Sequence, residues 1–160
     1  MIQTFVDDRD AQRRFARLNG QFAKMKAGLD SHVIRELEYK FRNFADRQFA
    51  TDGAYGGERW AALKPRTIED KRRRNTLSKG ILRDSVEMYD MLTQPKHSER
   101  NWKRIPSGAQ VVFRLSYFRH HQEGTDRMEA RPVYPDPLPP PFINELKNTI
   151  TGFLLEGSFA

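Results

Sequence analysis

The sequence predicts an α+β fold: a small, mainly antiparallel sheet packed against a long helix and a C-terminal helix, with an N-terminal helical arm and a long basic loop. Three observations predict it. Apolar residues recur at three- and four-residue spacing from Val33 to Phe49 and again from Phe142 to Leu154. Between them, from Trp102 to Tyr134, the period changes and a Pro-Ser-Gly turn at Pro106 to Gly108 divides two β-rich runs. Positive charge is concentrated as well. Nine of the 28 Lys and Arg residues but two of the 21 acidic ones fall between Arg59 and Arg83, so the remainder of the chain is neutral, with 19 of each sign.

At 160 residues the chain reads as one domain, 1–160, divided into an arm (1–29), a core (30–134) with a basic loop (50–76), and a Pro-rich segment with the last helix (135–160). Apolar residues make up 38% and charged ones 31%. That balance suits a subunit that completes its burial against neighbours, and 11 Phe supply contact area for cores and interfaces alike. The absence of cysteine excludes disulfides and thiolate metal sites. The start, MIQTFVDDRD, lacks a secretory pattern, and no window has the length of a membrane span, so a cytoplasmic protein without membrane contact is expected. A pI near 9.9 implies polyanionic partners and says nothing of fold.

In order, Phe15, Leu18, Phe22 and Met25 place a helical arm after Asp7 or Asp8. Asp30 and Ser31 supply the next N-cap, and Val33, Ile34, Leu37, Phe41, Phe44, Ala45 and Phe49 form the apolar stripe of the long helix, which reads as core. A Gly-rich turn from Asp52 to Gly57 follows, and Trp60 and Leu63 read as anchors that fold the loop back onto that helix. Pro65 opens another helix, with Thr67 and Asp70 in capping-box spacing. Leu77, Ile81, Leu82 and Val86 through Leu92 read as a further helix, with Gly80 near its start and Pro95 after its end. Strands are expected at 102–105, 109–115 and 128–134. A short helix fits Tyr117 to Glu123, with Gly124 as C-cap. Six of the nine prolines lie between Pro132 and Pro141, so 135–141 should be extended before the last helix, Phe142 to Leu155.

Candidate chemistry is sparse. Lys71-Arg72-Arg73-Arg74 could bind phosphates by releasing counterions, although four consecutive side chains point all round a helix and no more than three serve one surface. His120 and His121 diverge by about 100° on a helix and cannot share one metal ion, so one reads as a structural hydrogen-bonder and the other as exposed. No nucleophile elbow, P-loop or dinucleotide fingerprint occurs. An enzyme is not expected, nor a cofactor or a metal.

Four elements stand in a particular order: Gly57-x-x-Trp60-x-x-Leu63-x-Pro65-x-Thr67-x-x-x-Lys71, then Leu77-x-x-Gly80-x-Leu82-x-x-Ser85, then Tyr117-x-x-x-His121-Gln122-x-Gly124, then Arg131-Pro132. This series resembles the virion morphogenesis, or tail-completion, family of tailed bacteriophages, including Mu-like and P2-like proteins. The likeness covers about 41–132. Phe118 stands where that family has a small residue, Glu123 where it has an apolar one, and Pro135 where it has Gly.

The resemblance implies a structural protein of the phage neck that completes or caps the tail at the head-tail interface. It implies a homo-oligomeric, sixfold ring, portal or connector and tail-tube proteins as partners, contact with packaged DNA, and a place in the virion after synthesis in the host cytoplasm. On that view Trp60, Leu63, Pro65, Thr67, Gly80, Leu82, Ser85, Tyr117, His121, Gln122, Gly124, Arg131 and Pro132 are architectural. Arg59, Lys64, Arg66, Lys71, Arg72, Arg73 and Arg74 are candidates for an interface or a DNA channel, with the arm and the tail after Gly152 as further contacts. Two alternatives stand beside it: a non-specific DNA-binding protein using 59–83, and a nuclease built from scattered carboxylates.

Overall fold

The computed structural model describes residue 20, residues 31–105 and residues 108–156. The expected arm, 1–29, lies outside the described residues apart from Gly20, as do 106–107 of the expected turn and 157–160 of the tail. The described chain is α+β: α1 (Ser31–Ala50), α2 (Pro65–Arg73), α3 (Glu87–Thr93), β1 (Arg100–Ile105), β2 (Gly108–Phe113), α4 (Ser116–Glu123) and α5 (Pro140–Glu156).

Helix α1 is the spine. Its 20 residues span about 30 Å. The helical spacing of Val33, Leu37, Phe44, Ala45 and Phe49 brings all five onto one buried face, while Arg35, Tyr39, Asn43, Asp46 and Arg47 face outward. Burying each large side chain stabilises the fold by about 1.5–3 kcal/mol. One end of the spine builds a cluster of Val33 and Leu37 with Phe153, flanked by Trp102, Leu146 and Ile150. The other builds the larger cluster of Ala45, Phe49, Trp60, Met88, Met91, Leu92, Phe118 and Val133. Phe41 joins them, meeting Trp102, Tyr134 and Phe142 edge-on at 5.6, 5.5 and 5.2 Å. The abundant Phe of the described chain is therefore largely core. Phe118, the unusually large residue of α4, is buried against Phe113 at 4.8 Å between centroids.

The sheet is a single antiparallel pair, in register from Arg100 opposite Phe113 to Ile105 opposite Gly108. The expected third strand at 128–134 is corrected: Met128 makes one isolated bridge to Thr125, and 131–134 belongs to no strand, with bends at Val133 and Tyr134. Pro132 lacks the donor a ladder needs. Side chains from elsewhere meet the segment's backbone instead. Trp60 Nε1 donates to the Pro132 carbonyl at 2.9 Å, and Gln48 Nε2 to that of Val133 at 3.0 Å. The Val133 amide donates to Gln122 Oε1 at 2.5 Å, while Gln122 Nε2 donates to the Tyr134 carbonyl at 3.0 Å.

The helix expected from Leu77 to Leu92 is also corrected. A single 3-10 turn, Leu77–Lys79, is followed by positive φ at Gly80, Leu82 and Val86, and α3 begins only at Glu87. Left-handed residues cannot propagate a right-handed helix. Helix α3 ends before Pro95, and distant side chains serve its terminal carbonyls. Buried Arg100 donates to Met91, Gln94 and Pro95 oxygens and to Glu38 Oε1 at 2.8 Å, and Arg42 Nη1 donates to the Thr93 carbonyl at 3.3 Å. Helix α4 matches its expected span, and its C-cap Gly124 has φ +76°. A Cβ there would lie 2.9 Å from the Ala130 amide nitrogen. Helix α5 starts two residues before Phe142, at Pro140, because proline is tolerated in a first turn.

Candidate functional site

The four sequence elements spanning 57–71, 77–85, 117–124 and 131–132 fold onto one another around the end of α1. Trp60 is buried edge-on against Phe49, with 5.4 Å between centroids. Leu63, expected to anchor the loop on α1, belongs to neither core cluster; it stands half-buried in the wall of a cleft between α2, the 80–86 loop and the segment after α4. Thr67, Leu82, Ser85 and Tyr117 line the same cleft. Pro65 occupies the first turn of α2, and Gly80 holds φ +84°. The expected Thr67 and Asp70 capping box does not form: Lys64 is the N-cap without a side-chain bond, and the Asp70 carboxylate accepts from Arg73.

Arg131 links three of the elements. Its buried guanidinium donates to the Ala61 and Ala62 carbonyls at 2.9 and 3.0 Å, and its amide donates to the His121 carbonyl at 2.7 Å. The loop after Trp60, the end of α4 and the segment after Gly124 are thereby tied to one residue. Charged donors make the stronger hydrogen bonds, about 1.5–3 kcal/mol each.

The basic run behaves differently from a free polycation. Lys71 is buried, with Nζ 3.3 Å from Asp84 Oδ1. Arg74 pairs with the other oxygen of Asp84, and Arg73 pairs with Asp70. Thr76 Oγ1 also donates to Asp84, at 2.5 Å. That hydrogen bond, with the charges of Lys71 and Arg74, holds the Asp84 carboxyl below the usual carboxylate range despite partial desolvation. Arg83 lies over the Tyr89 and Phe49 rings at 4.6 and 5.3 Å. Arg59, Arg66 and Arg72 are exposed and have no carboxylate partner among the described residues. Lys64 Nζ donates to the Arg127 carbonyl at 3.2 Å.

His120 is exposed, and His121 is half-buried with its ring perpendicular to that of Tyr117. The expectation of a hydrogen-bonding inner imidazole is corrected: the bond at His121 is made by its backbone carbonyl, and Nδ1 is buried without a partner among the described residues. Burial first, then the positive charge of Arg131, pushes the His121 imidazole below its ordinary value. Stability should therefore fall as the pH drops below about 6.5, where the unfolded chain takes up the proton that the folded chain resists, and level off below the folded value. Denaturation midpoints between about pH 7.5 and 5 should fall less steeply for His121→Gln than for the wild type. Equal slopes would assign the effect elsewhere.

Sequence reasoning passed over Asp84, Gln48, Arg127 and Met128. Asp84 lies one residue beyond the basic window. Gln48, a lone polar residue on the apolar face of α1, was a readable signal: buried, it bonds the Val133 carbonyl and accepts from the Gly56 amide at 2.7 Å. Among the described residues, no group of three or more His, Asp or Glu could hold a metal ion, and no helix is long and apolar enough to cross a membrane. No protein family, curated protein or solved structure matches this chain.

Proposed function

We propose that the chain is a structural subunit of a tailed-phage neck, a tail-completion protein that joins or caps the tail at the head-tail interface as part of a homo-oligomeric ring. The observation that carries the reading is the mutual locking of the four sequence elements. Trp60 bonds Pro132, Arg131 bonds 61 and 62, Gln122 bonds 133 and 134, and Lys71 pairs with Asp84 of the 77–85 element, so residues far apart in sequence act as one architectural unit. Such a unit holds a fixed surface for neighbours. Electron microscopy of virions from the source phage, with this protein tagged, should place it as a ring between portal and tail tube. Absence from mature virions would overturn the proposal.

The second reading, non-specific DNA binding, draws on exposed Arg59, Arg66 and Arg72. With Lys71, Arg73 and Arg74 already paired to carboxylates, the run at 71–74 has one cation, Arg72, left for phosphates among the described pairs. The free chain's affinity for duplex DNA should fall with salt on a log-log slope no steeper than about −3, at about −0.9 per phosphate. A slope near −6 or beyond in a filter-binding titration would favour the DNA-binding protein.

A further inference from the structure

The cleft beside α2 has a volume of about 410 Å3, within the range of sites that enclose a ligand. Its lining includes five cations, Lys64, Lys71, Arg74, Arg127 and Arg131, against two carboxylates, Asp84 and Glu129. Asp84 is occupied by Lys71 and Arg74. Lys64 and Arg131 donate to carbonyl oxygens, and neither they nor Arg127 meets a carboxylate among the described residues. Beneath this charge lie Leu63, Leu82, Met88 and Met128, an apolar lining in which methionine adapts to an incoming side chain.

We propose that this cleft seats a short acidic segment of a partner protein, in which one apolar side chain enters between Met88 and Met128 while flanking carboxylates meet Lys64 and Arg127. Duplex DNA does not fit the same chemistry. Its phosphates lie on a convex surface that cannot enter a concave cleft, and it has no projecting apolar side chain to cover the methionines. An extended peptide supplies both groups at adjacent positions. The inference goes beyond the neck assignment and does not depend on it, because it follows from the charge and lining of the cleft.

The test uses the full chain with isotope-labelled methionine methyls, Met88 and Met128 reporting from within the cleft. Titration with N-acetyl-Asp-Leu-Glu-amide should shift both methyls saturably. The glycine-centred analogue should bind about tenfold more weakly or worse, as expected for losing a leucine side chain. Arg127→Glu and Lys64→Glu, both at exposed positions, should each weaken binding by about fivefold while the other methionine signals stay in place. Three results would overturn the proposal: no shift of these methyls, equal binding of N-acetyl-Lys-Leu-Lys-amide, or tighter binding at the same methyls by a short DNA duplex.

Discussion

Trp60→Ala should cost about 3–5 kcal/mol, the largest loss expected from any substitution in the basic loop. Three separate interactions end at this one side chain. The indole fills the core beside Phe49, its Nε1 holds the Pro132 carbonyl, and the turn at Gly53 is shaped to it, since a Cβ there would come within 2.5 Å of Cδ1. Removing the ring leaves a cavity and an unpaired carbonyl together. Trp60→Phe keeps most of the packing and loses the hydrogen bond, so it should cost about 1 kcal/mol beyond the volume change. Urea denaturation gives both values, and limited trypsin digestion at Arg59 should accelerate in the alanine variant before global unfolding. A Trp60→Ala protein within about 1 kcal/mol of the wild type would remove Trp60 as the anchor of the loop.

That anchor was legible in the sequence because a lone tryptophan in a glycine-rich, charged stretch has few other uses. Helix α1 and the hairpin were legible for a related reason: their period is a local property, and local pattern survives packing. The third expected strand was not. Residues 128–134 have strand composition, yet what pairs with 132–134 is a set of side chains, Trp60, Gln48 and Gln122, brought from three other parts of the chain. A pattern of strand-forming residues does not disclose whether the partner is a backbone or a side chain. The helix expected from Leu77 failed on conformation, since non-glycine residues at Leu82 and Val86 adopt positive φ that propensity disfavours. Tertiary contacts made by the 80–86 loop, above all those of Asp84, decided it.

The same loop explains why the basic run was misread in part, and it supports the other large prediction. Asp84→Ala should destabilise the protein by about 3 kcal/mol, the low end for orphaning a buried charge, because the carboxylate itself is still 40% exposed. Its loss strands Lys71, whose side chain is 5% exposed, and removes the acceptor of Thr76 and Arg74 as well. Lys71→Met alone should be close to neutral, since a hydrophobic side chain of similar length replaces a charge that needed a partner. The double variant Asp84→Ala with Lys71→Met should therefore be more stable than Asp84→Ala alone, a coupling that denaturant midpoints can resolve. The pH dependence carries the same sign. With the folded carboxyl depressed, this stabilisation is present above the unfolded value of about 3.9 and is lost as pH falls through the folded one. If Asp84→Ala proved harmless, or the second substitution gave no rescue, Lys71 would be a solvated cation. Three of the four residues of the run would then be available to phosphates or to a partner, and the DNA reading would gain what the ion pairs now withhold from it.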